Sequence, residues 1–265
     1  MRKSMHIASL LVGAAVFGGV AMPTWAVDGV ILIDQNKATA GNVTPGDTPG
    51  FPVTLSLPGS YRLAGNLTVP DANTNAIIIA ADHVTLDLNG FAILGPTDCS
   101  GGIQHCANTG SGMGISTDTD RLNITIRNGT VKGMGRRGVF LTGDSHLVEY
   151  VHASDNGDVG IFIFPSHTFD SGGSIAQHNT AHRNGGIGIV VDEGLVTHNI
   201  VDGNNEGIRN QTGSASYNLI SRNSALGLEQ NFASYIGNVF FNNANDVSGF
   251  GVNLGQNLCF NAACP

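Results

Sequence analysis

Two columns of asparagine running in step limit what this chain can fold into more than any other feature. Asn179, Asn199, Asn218 and Asn238 form one column, and Asn184, Asn204, Asn223 and Asn243 the other, with 19 or 20 residues between successive members. A Gly followed by an apolar residue keeps a similar beat at Gly114, Gly138, Gly160, Gly188, Gly207 and Gly227, with spacings of 24, 22, 28, 19 and 20. A period near 20 residues marks a solenoid, in which a coil cannot bury its apolar side alone and does so by stacking on its neighbours. Equivalent Asn residues then lie about 4.8 Å apart along the axis. Each amide can donate to its neighbour's carbonyl, so the columns read as ladders that fix register rather than as repeated binding groups.

The aliphatic residues fit the same object. In "GIGIVV" Ile189 and Val191 point inward and Val190 outward, and "VTHNIV" adds Val196 and Ile200 as inward residues. Upstream, "VTLDLNG" alternates in the same way, with Val84, Leu86 and Leu88 on one side. Helical stripes are nearly absent after the N-terminus, while short β-branched runs broken by Gly and Pro recur. The expected class is all-β, a solenoid of short parallel strands. Residues 27–75 form an N-terminal cap and first strands, 76–256 the coils and 257–265 a closing loop.

The first 26 residues read as an export signal: Arg2 and Lys3, an apolar run from Ile7, then small residues up to Ala26. The expected location is secreted or periplasmic, with no membrane insertion once the signal is removed. The remaining chain holds 10 basic and 20 acidic residues. That balance argues against nucleic acid, whose binding rests on Lys and Arg neutralising phosphates. It also disfavours bare polyanionic sugars unless a divalent cation bridges them, so no cofactor is required but calcium is left open. The four Cys form two close pairs, Cys99 with Cys106 and Cys259 with Cys264. Two short-loop disulfides suit an exported chain, with a zinc site as the alternative.

The phrases "GIGIVVDEGLVTHNIVDGNNEGI" and "GIRNQTGSASYNLISRNSALGL" resemble the repeats of right-handed parallel β-helix proteins of the pectin-lyase-like fold, including the periplasmic NosD type and carbohydrate-binding repeat domains. The resemblance implies a single-stranded right-handed parallel β-helix whose outer sheet face is the working surface. It implies little about activity, because this fold hosts lyases, hydrolases, epimerases and adhesins alike. The closely spaced Asp pair, Gly-His-Gly and Arg-x-Lys of polygalacturonases, and the Asp-Pro-His-Asp of alginate epimerases, are absent from the sequence.

Counting two residues on from each Gly gives an outward column of Ser116, Phe140, Phe162, Val190, Arg209 and Glu229. Counting four gives Asp118, Thr142, Phe164, Asp192, Gln211 and Asn231. Three features of this surface are candidates for function. Asp192, Arg209 and Glu229 are weak catalytic candidates, since paired carboxylates serve glycoside hydrolysis, against a solvated charge ladder. Phe140, Phe162 and Phe164 are an aromatic patch suited to sugar rings, unless the long "PSHTFDSGG" insertion covers it. His178 and His198, preceding ladder Asn residues on adjacent coils with Tyr150 and Tyr217 equivalent, could bridge a metal or simply stack. Arg136 and Arg137 facing Asp158 are expected to form cross-coil ion pairs, with a lyase base near Lys132 as the alternative. The expected function is a non-catalytic module that binds a polysaccharide or cell-surface glycan, with a polysaccharide lyase, epimerase or hydrolase as the alternative. Oligomeric state is left open.

Overall fold

The computed structural model describes residues 29–99, 106, 109–166, 173–260 and 264. The export signal expected at 1–26 lies outside them, and no helix among the described residues is long and apolar enough to cross a membrane. The architecture is a parallel β-solenoid of about nine turns. Strands pair in parallel with their equivalents one coil on, as in Ile161↔Ile189, Ile189↔Ile208 and Ile208↔Leu228. The pairing offset is therefore the sequence period itself.

Inward positions superpose into columns. Val53, Ile77, Ile115, Val139, Ile161 and Ile189 lie in successive register and are all fully buried. At roughly 1.5–3 kcal/mol for each such side chain, this interior outweighs the surface ion pairs, each worth about 0–1 kcal/mol. The N-terminal end is covered. A short helix, Gln35–Ala40, is capped by Asp34, whose carboxylate accepts from Lys37 N at 2.8 Å. Ala38 and Val43 join the same core as Ile33 and Val53. Buried Asp47 ties this cap down by accepting from Val43 N and Thr54 N.

Both asparagine ladders are present and mark two corners of the coil. The residue before each ladder Asn has positive φ: His178, His198 and Tyr217 at 54–55° in one column, and Arg183 and Arg222 at 52–53° in the other. A left-handed residue turns the chain, and the following Asn seals the corner. Asn199 is representative. Its Oδ1 accepts from the backbone N and the Nδ2 of Asn179, at 2.9 and 3.1 Å. Its Nδ2 donates to Ala176 O and to Asn218 Oδ1, both at 3.0 Å. Each ladder runs one residue further than expected from sequence: Asn238 donates to Asn257, and Asn156 donates to Asn184.

Between the ladders lies a strand of three residues, such as Ile200–Asp202. Its central residue faces inward, so Val201 is fully buried while Ile200 is 48% exposed. The inward assignment of Ile200 is thereby corrected. The left-handed residue His198 breaks the two-residue alternation, and parity cannot be counted through it from Val196, which is buried as expected.

The recurrent Gly that opens the long strand is explained by close approach rather than by backbone angle. A Cβ on Gly138 would lie 2.6 Å from Gly160 O, and one on Gly160 the same distance from Gly188 O. A different Gly column carries the third corner. Gly194 and Gly213 adopt φ of 140° and 125° inside the continuous strands Ile187–Thr197 and Glu206–Ser216, bending them without breaking their pairing. Both expected disulfides, Cys99–Cys106 and Cys259–Cys264, are formed.

Candidate functional site

The outward column assembles as the spacing foretold: Ser116, Phe140, Phe162, Val190, Arg209 and Glu229 lie in consecutive register. Two members are not on the surface. Ser116 and Val190 are each only 2% exposed. Val190 belongs to a second, small apolar cluster with Val159 and Ile187, against which Phe162 packs. The outer face thus has a core of its own. Val190 faces away from the solenoid interior yet is shielded by its neighbours on the same face.

Phe140, Phe162 and Phe164 come together edge to face, with centroids 5.5 Å apart for the first pair and 6.1 Å for the second. Arg137 lies over Phe140 at 4.4 Å and Phe162 at 4.7 Å. Its Nε is 3.6 Å from Asp158, which Arg136 also faces at 3.7 Å, so the cross-coil ion pairs form. Burial and the charge of Arg136 pull the Arg137 guanidinium below the usual arginine range, against Asp158. The guanidinium covers one side of the Phe140–Phe162 pair, and Phe164 is the most exposed of the three rings at 39%. Of the insertion expected to cover the patch, residues 167–172 lie outside the described residues.

Beyond the aromatic patch the face becomes polar. Arg209 binds Glu229 through Nε and Glu206 through an Nη at 2.9 Å. Burial lowers the Arg209 pKa, but its bonds to Glu229 and the charge of both glutamates outweigh that, and the guanidinium is held above its ordinary value. It is a fixed cation shared by two carboxylates, not a proton acceptor. Asp192 lies one coil earlier, on the strand Ile187–Thr197, two residues beyond Val190 of the outward column. In the column of Asp192, Asn231 donates to Gln211 at 2.6 Å, continuing an amide stripe along the axis.

The corner column holds a second aromatic array. Tyr150, His178, His198 and Tyr217 stack at centroid spacings of 5.1, 5.2 and 5.3 Å. Neighbouring rings cover one another's faces, and the hydroxyl of Thr197 contacts His198 Nδ1 at 2.8 Å. On the next corner, a cleft of about 260 Å³ is lined by Thr97, Asp98, Cys99, Lys132, Asp155 and Arg183. Asp155 is paired there with Lys132 at 3.3 Å and Arg183 at 3.1 Å. Cys99, Cys106 and Asp155 are the one group of three metal donors found close together among the described residues. Its two sulfurs are joined to each other.

Sequence reasoning passed over His146, which is 1% exposed. Ile124 N donates to its Nδ1 at 3.2 Å, and its Nε2 faces Thr142 O at 3.2 Å, consistent with a neutral ring protonated at Nε2. Burial holds its pKa below the ordinary 6.5, against the backbone bond to Thr142 and the charges of Asp144, Asp120 and Asp82. The unfolded chain therefore binds this proton more readily than the folded one, and stability falls as pH drops below about 6.5. Thermal melts between pH 7.5 and 5 are expected to show falling Tm, with the slope reduced in His146→Gln. An equal slope in the variant would assign the loss to other groups. Asp202 changes the pH profile only at lower pH. Burial raises its pKa, but bonds to Arg222 and Ser221 and the charges of Arg222 and His182 lower it below 3.8. Its stabilisation is lost as pH falls through that depressed value.

A parallel solenoid with asparagine-sealed corners and a partly apolar outer face defines a β-helix repeat protein. The family model for the right-handed β-helix region matches residues 59–226 and again 114–260, and the chain belongs to that family. Comparisons with curated proteins and with solved structures found no match.

Proposed function

We propose that this protein is an exported, non-catalytic module that binds a polysaccharide or cell-surface glycan along the outer face of its long parallel sheet. The observation that carries the reading is an outward column, next to the in-register residues Ile163, Val191, Asn210 and Gln230, that runs from the exposed ring of Phe164 through Asp192 to the bonded amide pair Gln211 and Asn231. An aromatic face supplies apolar contact to the C–H side of a sugar, and amides donate to and accept from its hydroxyls. The two disulfides fit an oxidising compartment. The alternative is a polysaccharide-active enzyme using Asp192, Arg209 and Glu229. The ion pair of Glu229 with Arg209, which also binds Glu206, disfavours it, because a carboxylate held in that pair is not free to act as acid or nucleophile at the reacting bond.

The discriminating experiment incubates the purified chain with neutral and uronate polysaccharides, with and without calcium, and follows retention, reducing ends and unsaturated uronate absorbance. Retention without cleavage supports the binding module. Cleavage would overturn it in favour of the enzyme, and retention only with calcium would identify a cation-bridged anionic glycan.

A further inference from the structure

The outward column that starts at Phe164 does not stop at Asn231. Gly249 pairs with Gln230 and Val252 with Ser234, so Phe250 stands beside Asn231 and Phe232 on the same flank of the solenoid. Phe250 is 86% exposed and Phe232 83%, the two most exposed large apolar side chains among the described residues. Phe232 follows Glu193 and Thr212 in register, one residue beyond the column of Asp192, Gln211 and Asn231. Where the long strands bend, two adjoining columns therefore face solvent together, with Phe164 at one end and two rings at the other.

The charge of this face is one-sided. The strands Ile187–Thr197, Glu206–Ser216 and Leu226–Ile236 carry Asp192, Glu193, Glu206 and Glu229 against the single guanidinium of Arg209, a net of three negative charges. Arg209 is held by Glu206 and Glu229. The cations nearest the Phe164 end, Arg136 and Arg137, share Asp158. A uronate chain laid along these strands would meet like charge, whereas a chain bearing ammonium groups meets opposite charge.

Resting on the reading of this face as a glycan surface, we infer that its ligand is an amino-sugar polymer with free ammonium groups, lying along the solenoid axis. Phe232 and Phe250 take the C–H faces of its rings, Gln211 and Asn231 its hydroxyls, and Asp192 and Glu193 its ammonium groups. Successive coils stand about 4.8 Å apart, close to the advance of one unit in an extended pyranose chain, so each coil meets a fresh unit. One exposed ion pair contributes little. A repeating ligand makes several at once, and that turns the sign of the face into selectivity.

Titration calorimetry of the full chain with hexamers of β-1,4-linked glucosamine, N-acetylglucosamine and glucose, at about pH 5.5 where the amines carry charge, tests this. The glucosamine hexamer is expected to bind at least tenfold more tightly than the other two, with the preference falling as salt is added. Asp192→Asn with Glu193→Gln should remove most of the preference. Asp71→Asn with Glu149→Gln removes as many negative charges away from this face, at the turn before Ile77–Ile79 and on the strand Leu147–Ser154, and should keep it. Phe232→Ala with Phe250→Ala should weaken the glucosamine hexamer at least tenfold at unchanged Tm. Equal affinity for the three hexamers, or a preference lost equally in both charge variants, would overturn the inference. Tight binding of the glucose hexamer alone, weakened by Phe164→Ala with Asn231→Ala, would overturn it while leaving the glycan-binding reading intact. Binding of no hexamer by the wild type would overturn the inference and count against that reading as well.

Discussion

Replacing Asn199 with Leu is expected to destabilise the protein by about 3–6 kcal/mol, from several buried polar groups losing partners at roughly 1–3 kcal/mol each. The change removes the acceptor for both the backbone N and the Nδ2 of Asn179, and the donor to Ala176 O. None of these groups reaches water, since Asn179 and Asn199 are each 1% exposed. Burial of the new side chain returns little, because it stands at a corner lined by backbone carbonyls. Urea unfolding followed by circular dichroism measures the loss. The same substitution at Asn257, the half-buried last rung of that ladder, should cost much less. Equal losses at the two positions would show that the ladder does not stabilise through burial of its amides.

The second large effect concerns the glycine corner. A Cβ on Gly213 would lie 1.9 Å from Gly194 O, and φ of 125° is a conformation that an L-residue adopts only under strain. Overpacking costs about 1–3 kcal/mol and backbone strain of this kind about 1–3 kcal/mol. Gly213→Ala is therefore expected to lose roughly 2–6 kcal/mol, with much of the expressed chain insoluble. Gly65→Ala provides the contrast, since its Cβ would meet nothing closer than Asp34 Cβ at 3.8 Å and its φ is not positive. A Gly213→Ala protein melting within a degree or two of wild type would mean that this corner can be rebuilt without Gly.

Much of this architecture is legible in the amino-acid order because a solenoid converts sequence period into spatial register. The Gly and Asn columns needed only counting, and so did the outward column from Ser116 to Glu229. Asn156 and Asn257 were within reach of the same count. Asn156 precedes Asn184 by 28 residues, as Gly160 precedes Gly188, and Asn257 follows Asn238 by 19. Inward and outward parity was less legible. Each left-handed corner shifts the alternation, which is why Ile200 and Val201 exchange roles. The surface of the candidate site was least legible of all. Whether Arg137 lies across Phe140 and Phe162, and whether Val190 is shielded by Val159 and Ile187, depends on rotamers meeting across coils. No period encodes that.

Buried polar groups outside the ladders were equally hidden. Asn210 and Gln230 continue an inward column that is apolar at Leu141, Ile163 and Val191, and both are fully buried. The Nδ2 of Asn210 donates to Val191 O and Gly194 O, and the Nε2 of Gln230 donates to Ser234 O. These amides bond backbone carbonyls close to the third corner.

The proposal that the outer sheet face is the binding surface is tested most directly by the dissociation constant for a retained polysaccharide in three proteins. These are the wild type, Phe164→Ala with Asn231→Ala, and Tyr150→Ala with Tyr217→Ala on the corner stack. The account predicts at least a tenfold weakening, about 1.4 kcal/mol or more, in the outer-face variant alone, with its Tm retained. Unchanged affinity in that variant, or a comparable loss in the corner variant, would contradict it and move recognition off the long parallel sheet.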